Sequence, residues 1–229
     1  MAILLDQIIP LGRTMAEYVG MFRLTGTDRH RTILGCGDGP AGFNAEWSAG
    51  GGRVVSVDPL YRHEAPAIRR RIDATFADMA AQLGASQELF VWRSIPSMAA
   101  WRRMRRQAMD RFLADYAGQG AHGHYVAGEL PALPFADGAF DLALCSHLLF
   151  LYSEQLSYAF HLAAMRELLR VAREVRVFPL LTLAMEPSPH LPPLSEALAG
   201  AGFGVAVERV PYEFQRGGNE MLRVVASRV

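Results

Sequence analysis

The segment that most constrains this chain is a short apolar run, Thr32-Ile33-Leu34, that stops at Gly35-Cys36-Gly37-Asp38-Gly39. Closely spaced glycines after a strand allow a tight turn, and they let another molecule approach backbone that a side chain would cover. Pro40 to about Ser48 reads as a helix with proline in its first turn. Gly50-Gly51-Gly52 ends that helix, and Val54-Val55-Ser56-Val57 follows as a second buried strand that closes on Asp58. Strand, glycine turn, helix, strand and acid make up the repeating unit of an open parallel sheet.

The rest of the chain extends that pattern. Met15, Tyr18, Val19 and Phe22 recur at helical spacing behind Thr14 and Glu17, a capping-box pair. Residues 1–30 therefore form a lead-in with one amphipathic helix. Residues 62–122 are too long for one crossover between neighbouring strands. Helical texture over Arg69–Leu83 and Pro96–Tyr116 makes them a helical insertion. Strands are expected at His124–Ala127, Phe140–Cys145 and Glu174–Phe178, with helices over Glu154–Ala172 and Pro192–Ala201. Two alternating segments, Gly204–Val210 and Met221–Val225, suit an antiparallel pair. A plain hairpin connection is favoured between them, the alternative being a loop that bends back over the strand ends. The expectation is a single α/β domain spanning residues 1–229. Its doubly wound, mainly parallel seven-stranded sheet carries an antiparallel C-terminal hairpin and a helical insertion after strand 2.

Composition narrows the partners. The 23 basic and 23 acidic residues cancel, so the whole-chain field calls for neither nucleic acid nor membrane. Every basic residue except histidine is arginine, which removes lysine as a Schiff base or general base. Cys36 and Cys145 stand far apart in sequence and match no zinc spacing, so they read as reduced thiols, and no metal is expected. The N-terminus lacks a basic n-region, and no uncharged apolar run reaches membrane-spanning length. A soluble, cytoplasmic protein is expected; the sequence leaves its oligomeric state undetermined.

A ligand of such a sheet lies outside the carboxyl ends of its strands. Asp58 follows the glycine turn at the spacing of roughly 20 residues at which a carboxylate meets ribose hydroxyls. Gly37-Asp38-Gly39-Pro40-Ala41-Gly42 also fits the G-x-G-x-x-G dinucleotide pattern, so these residues alone leave NAD(P) open.

Four blocks in order bear on that choice. Ile33-Leu34-Gly35-Cys36-Gly37-Asp38-Gly39 resembles the first motif of class I, Rossmann-like S-adenosylmethionine (SAM)-dependent methyltransferases. Val55-Ser56-Val57-Asp58-Pro59 is similar to the end of their second strand, and Gly128 to Asp141, with Leu133-Pro134-Phe135, to the block before their fourth. Met165 to Val171 resembles the helix before their fifth strand. The resemblance covers roughly residues 30–229 outside the insertion. It implies SAM as cofactor and methyl transfer to a small-molecule acceptor. Gly35, Cys36, Gly37, Asp38 and Gly39 would lie along the methionine and ribose, with Asp58 on the ribose hydroxyls. Pro59 and Leu60 would flank the adenine, Glu129 and the Leu130 amide would meet its edge, and Ser146 would face the methionine end. Two departures stand out. Ile33 occupies a position where the family carries an acid, and Arg13 is the candidate to meet the SAM carboxylate instead. Strand four ends in Cys145-Ser146-His147-Leu148, without the Asn/Asp-Pro-Pro-Tyr signature of enzymes that methylate adenine or glutamine nitrogen. The alternatives are SAM binding without transfer, as in a regulatory protein, and an NAD(P)-dependent oxidoreductase.

For chemistry, His147 is the candidate general base because imidazole titrates near neutrality. Tyr152 and Ser153 are candidates to line the acceptor pocket. A connection before Met221 that bends back over the strand ends would bring Tyr212, Arg216 and Asn219 to the acceptor as well. Arg102, Arg103, Arg105 and Arg106 share one helix near Trp92 and Trp101. A solvated arginine face on a lid over the pocket is favoured there over a nucleic-acid surface.

Overall fold

Thr14 starts the first helix, α1 (Met15–Phe22), with the capping box expected from the sequence: its hydroxyl accepts from Glu17 N, and the Glu17 carboxylate accepts from Thr14 N. Strand β1 (Thr32–Cys36) then leads through the glycine turn to α2 (Phe43–Ala49) and β2 (Arg53–Val57). Helix α2 begins three residues later than the sequence suggests, because Pro40 and Ala41 belong to the turn and Gly42 N donates to Arg13 O. The insertion consists of two long helices, α3 (Ala65–Ala85) and α4 (Met98–Gln119). The remaining elements are β3 (Tyr125–Val126), β4 (Leu142–Ser146), α5 (Tyr158–Val171), β5 (Glu174–Phe178), α6 (Leu191–Gly200), β6 (Phe203–Arg209) and β7 (Glu220–Ala226). Helix α5 starts at Tyr158 rather than Glu154, since Ser157 is its N-cap and accepts from Phe160 N. This computed structural model describes residues 9–119 and 123–226, so the ends of the expected lead-in and insertion, 1–8 and 120–122, lie outside the described residues.

The seven strands form one sheet in the order β3-β2-β1-β4-β5-β7-β6. Strands β3, β2, β1, β4 and β5 run parallel, and β7 pairs antiparallel with both β5 and β6. The expected doubly wound sheet with an antiparallel terminal pair is the observed architecture. Strand order reverses between β1 and β4, which places the ligand crevice of such a sheet there.

Both faces of the sheet are covered, and the strands alternate between them with period 2. Ile33, Val54, Leu142 and Leu144 join α1 to α4 in one core. Leu34, Val57, Ala143 and Cys145 join α5 and α6 in the other. Each fully buried leucine or isoleucine contributes about 1.5–3 kcal/mol. The insertion is therefore part of a core layer: Ile68, Ile72, Met109 and Phe112 are buried, and Trp101 stacks on Phe76 with centroids 5.7 Å apart. Arg69 pairs with Asp110, and Arg106 with Asp73, tying α3 to α4.

Cys36 and Cys145, remote in sequence, are register partners on β1 and β4, and both are free buried thiols. No helix among the described residues is long and apolar enough to cross a membrane.

Candidate active site

The turns after β1, β2, β3 and β4 enclose a cleft of about 430 Å³ at the switch point. Gly37 (φ 69°) and Gly39 (φ 52°) occupy the left-handed region, which explains glycine at both. Gly35 is needed for a different reason. A Cβ there would collide with the carboxylate of Asp38, which folds back over the strand end. Cys36 lies in β1 rather than in the turn, and its thiol is pushed up well above the usual range by burial and by Cys145.

Three carboxylates border this cleft, each in a different state. Asp58 is tethered by backbone, accepting from Gly39 N at 2.9 Å and Leu60 N at 2.8 Å. Burial raises its pKa, and those two amide donors oppose the rise. Asp38 is buried and bonded only to neutral hydroxyls, Tyr18 Oη at 2.7 Å and Ser56 Oγ at 2.6 Å. Burial pushes it up to about 6 despite those bonds. Glu129 is exposed at the rim, with Arg62 3.6 Å away. The loop carrying Glu129 and Leu130 is held from beneath by α5: Leu133 N donates to Glu167, and Arg170 donates to the carbonyls of Leu133 and Phe135. That contact packs the Gly128–Asp141 block against the Met165–Val171 block.

Ile33 is fully buried in the α1–α4 core, so no acid lies beneath the turn at that position. The buried anion next to the glycine turn is Asp38, aimed by Tyr18 from the lead-in helix and by Ser56 from β2.

A second, smaller cavity of about 80 Å³ adjoins the first, and Ile9, Leu11, Arg13 and His147 border both. Met79 and Leu83 of α3, Trp101 and Arg105 of α4, and Phe214 and Gln215 supply much of its remaining wall. Arg105 is 1% exposed and grips both oxygens of Glu17, with Gly12 O as a further acceptor at 2.9 Å. Tyr212 Oη donates to the same carboxylate at 2.8 Å. Burial alone would raise Glu17, but Arg105 beside it holds it at about 2. Arg13 makes no ion pair among the described residues. Its Nη1 donates to Leu11 O at 3.2 Å, and its Nε is buried without a partner. Burial and the like charge of Arg105 lower its pKa.

His147 has φ 52°, an uncommon conformation for a side-chain-bearing residue, held by its N–H on Phe178 O at 2.6 Å. Its Nδ1 lies 2.9 Å from Ser146 Oγ. Burial, reinforced by Arg13 and Arg105, pushes the imidazole well below its ordinary value. This corrects the expected base that titrates near neutrality: His147 is held neutral and is a weak base.

All the residues expected to meet a cofactor line the larger cleft except Gly35, whose role is to make room for Asp38. Tyr152 borders the second cavity, with its hydroxyl accepting from Ile9 N at 3.2 Å. Ser153 corrects the expectation. It borders neither cavity, and its hydroxyl meets Phe150 O and Ser188 Oγ, each at 2.7 Å. Arg105 is a second correction, a buried ion-pair residue and not part of a solvated face. Trp101, being buried, is no stacking platform for bases. Helices α3 and α4 of the expected lid wall the second cavity, and they do so as core elements.

The connection between β6 and β7 is no plain hairpin. It turns back so that Phe214 O accepts from Val91 N and Leu89 O accepts from Arg216 N, which brings Phe214 and Gln215 to the cavity. Sequence reasoning missed Gln215, Arg105 and Tyr18. The apolar spacing of α1 put Tyr18 in a core, and nothing local marked Arg105. The bend-back alternative for the β6–β7 loop named Tyr212, Arg216 and Asn219 instead of Gln215.

No family model matches the chain. The uncharacterized protein MJ0045 of Methanocaldococcus jannaschii is 30% identical over 219 residues, covering 95% of this chain and 96% of that protein. Among solved structures, magnesium protoporphyrin IX methyltransferase from Synechocystis with bound SAM is 12% identical with a TM-score of 0.46, over 86% of this chain and 70% of that one. A TehB-like SAM-dependent methyltransferase from Corynebacterium glutamicum is 14% identical with a TM-score of 0.45, over 87% and 82%. Structural likeness at that level carries no information about the ligand or the reaction.

Proposed function

The chain belongs to one family with the uncharacterized Methanocaldococcus jannaschii protein, and we propose that it is a SAM-dependent methyltransferase acting on a small-molecule acceptor. The observation that carries this reading is the pair of adjoining cavities at the switch point, meeting at Arg13 and His147. One is bordered by three carboxylates; the other is largely apolar and bordered by none among the described residues. A two-substrate transfer needs that arrangement, because the donor and acceptor must be held in line and shielded from water.

The residues of the larger cleft fit SAM. Two acceptor positions on Asp58 are taken by backbone amides, and the carboxylate keeps further lone pairs for ribose hydroxyls. Pro59, Leu60 and Leu130 provide apolar surface for an adenine, with Glu129 at its edge. Cys36, Gly37, Gly39 and Ser146 lie along the path towards the methionine end. Asp38 supplies the anion there that Ile33 lacks, and it suits an ammonium group. When bound, SAM supplies an already electrophilic methyl group, so the protein's part is to orient the acceptor. The neutral His147 imidazole offers a hydrogen bond at the junction. The second cavity also weighs against the reading in which SAM is bound without transfer, since a pure SAM sensor has no use for an adjoining chamber.

Isothermal titration with S-adenosylhomocysteine tests the cofactor. Binding is expected in the micromolar range, weakened by about 10–100-fold in Asp58→Ala, the cost of losing charged hydrogen bonds. No heat of binding up to high micromolar ligand would sink the proposal, and a nicotinamide dinucleotide binding in its place would replace it.

A further inference from the structure

The second cavity has a chemical character of its own. Leu11, Leu83, Trp101, Leu151 and Phe214 make its walls apolar and aromatic. Its polar lining is unbalanced: Arg13 and Arg105 border it, and no aspartate or glutamate among the described residues does. Arg105 is neutralised from behind by Glu17, which acts on Arg13 only at longer range, so Arg13 has no ion pair of its own among the described residues. A guanidinium in an apolar chamber is costly unless an anion meets it. Tyr152 adds a hydroxyl whose oxygen accepts from Ile9 N, leaving its own hydrogen for another acceptor. Gln215 adds an amide whose Nε2 is committed to Thr182 O and Met185 Sδ, while Oε1 is buried without a partner.

We propose that this cavity binds a small, largely apolar carboxylate, with Arg13 pairing to its anionic oxygens, and that such a carboxylic acid is the methyl acceptor. The proposal rests on the methyltransferase reading and names its substrate class. It also reassigns Arg13, which the sequence placed on the carboxylate of SAM. A carboxylate acceptor agrees with the weak base at the junction, because no proton has to be removed from it. One oxygen lone pair forms the new carbon–oxygen bond, the methyl–sulfur bonding pair stays on sulfur, and the neutral methyl ester forms without release of a proton. His147, Tyr152 and Gln215 act here as positioning residues.

The test compares benzoate with benzamide, its neutral isostere, in saturation-transfer NMR titrations at pH 7.5 on protein saturated with S-adenosylhomocysteine. Benzoate is expected to bind at least tenfold more tightly than benzamide. Arg13→Met should erase that preference while changing S-adenosylhomocysteine affinity less than threefold. Arg13→Lys should keep most of it, and Arg111→Met, on the exposed side of α4, should keep all of it. Equal binding of the two probes by the unaltered protein would overturn the proposal, whether or not the Arg13 variants fold. A tenfold loss of S-adenosylhomocysteine affinity in Arg13→Met with the benzoate preference intact would also overturn it, returning Arg13 to the cofactor. Failure of the cofactor reading is separate, since it would appear as no S-adenosylhomocysteine binding by the unaltered protein.

Discussion

The larger cleft takes most of its lining from turns that each follow a strand: Gly37–Gly39 after β1, Asp58–Leu60 after β2, Gly128–Leu130 after β3 and Ser146–His147 after β4. Arg13, Tyr18 and Arg71 are added from the lead-in and α3. The smaller cavity draws a few side chains from each of several remote segments, from Ile9 to Gln215. Three carboxylates border the first, whereas the second is bordered by Arg13 and Arg105 and by no carboxylate among the described residues. A cleft built from backbone turns is as rigid as the sheet that bears it, whereas a cavity assembled from side chains depends on how helices and loops pack around it. The donor side of a transferase can then stay fixed while the acceptor side varies with the insertion and the C-terminal loop.

That contrast is easiest to break at Arg105. Its pair with Glu17 ties α4 to α1 across the wall of the smaller cavity and receives the Tyr212 hydroxyl as well. Arg105→Met leaves a buried carboxylate unpaired, so a loss of about 3–5 kcal/mol is expected, roughly 10 °C in the thermal midpoint. Adding Glu17→Gln should recover a large share of it. S-adenosylhomocysteine affinity of the folded variant should stay within threefold. If the cofactor is lost together with the acceptor-side wall, the two cavities are one unit and the contrast fails.

On the cofactor side the sharper probe is pH. The folded state holds Asp38 at about 6, above its ordinary 3.8. A group raised on folding contributes its full stability below its unfolded value, and that contribution is lost as pH rises through the folded value. The effect of about two pH units is ~3 kcal/mol. The Asp38 contribution should therefore fall between about pH 4.5 and 7. His147 and His161, whose pKa values burial lowers, act in the opposite sense over part of that range. The readout is the difference: Asp38→Asn should make the thermal midpoint rise more, or fall less, with pH than in the unaltered protein. Asp58, also raised, keeps a slope of the same sign in the variant. Glu17 and Glu174, both held at about 2, act in the opposite sense: their stability is present above the unfolded value and is lost only as pH falls towards 2. A bound ammonium would favour the ionised Asp38, so S-adenosylhomocysteine affinity should fall by about tenfold from pH 7.5 to 5. A flat affinity profile would remove Asp38 from the ammonium site.

What could be read from the sequence follows the same division. Turns at strand ends are local: Gly37, Gly39 and Asp58 announce themselves through spacing, because backbone conformation and a strand-terminal carboxylate need only neighbouring residues. The sheet was legible for the same reason, each strand being a short apolar run between turn signals. Arg105 and Gln215 were not legible. An arginine in a run of arginines looks solvated until its partner on α1 is seen, and Gln215 reaches the cavity only because its loop pairs with the α3–α4 connector at Phe90. His147 follows the fourth strand as expected and borders both cavities, but its state was not legible, since it depends on burial and on two arginines distant in sequence.

Ser153 gives the smallest effect and the finest discrimination, because sequence and structure assign it differently. Its neighbour Tyr152 borders the smaller cavity, yet the Ser153 hydroxyl turns away to Phe150 O and Ser188 Oγ. Ser188 Oγ in turn accepts from His190 N, so the cluster braces the entry to α6. Ser153→Ala should cost about 1 kcal/mol, a fall of roughly 2–4 °C in the midpoint, with S-adenosylhomocysteine and benzoate affinities unchanged within twofold. A tenfold loss of benzoate affinity without loss of stability would mean that the smaller cavity extends past Tyr152 to Ser153. The acceptor would then reach a hydroxyl that this packing assigns to α6.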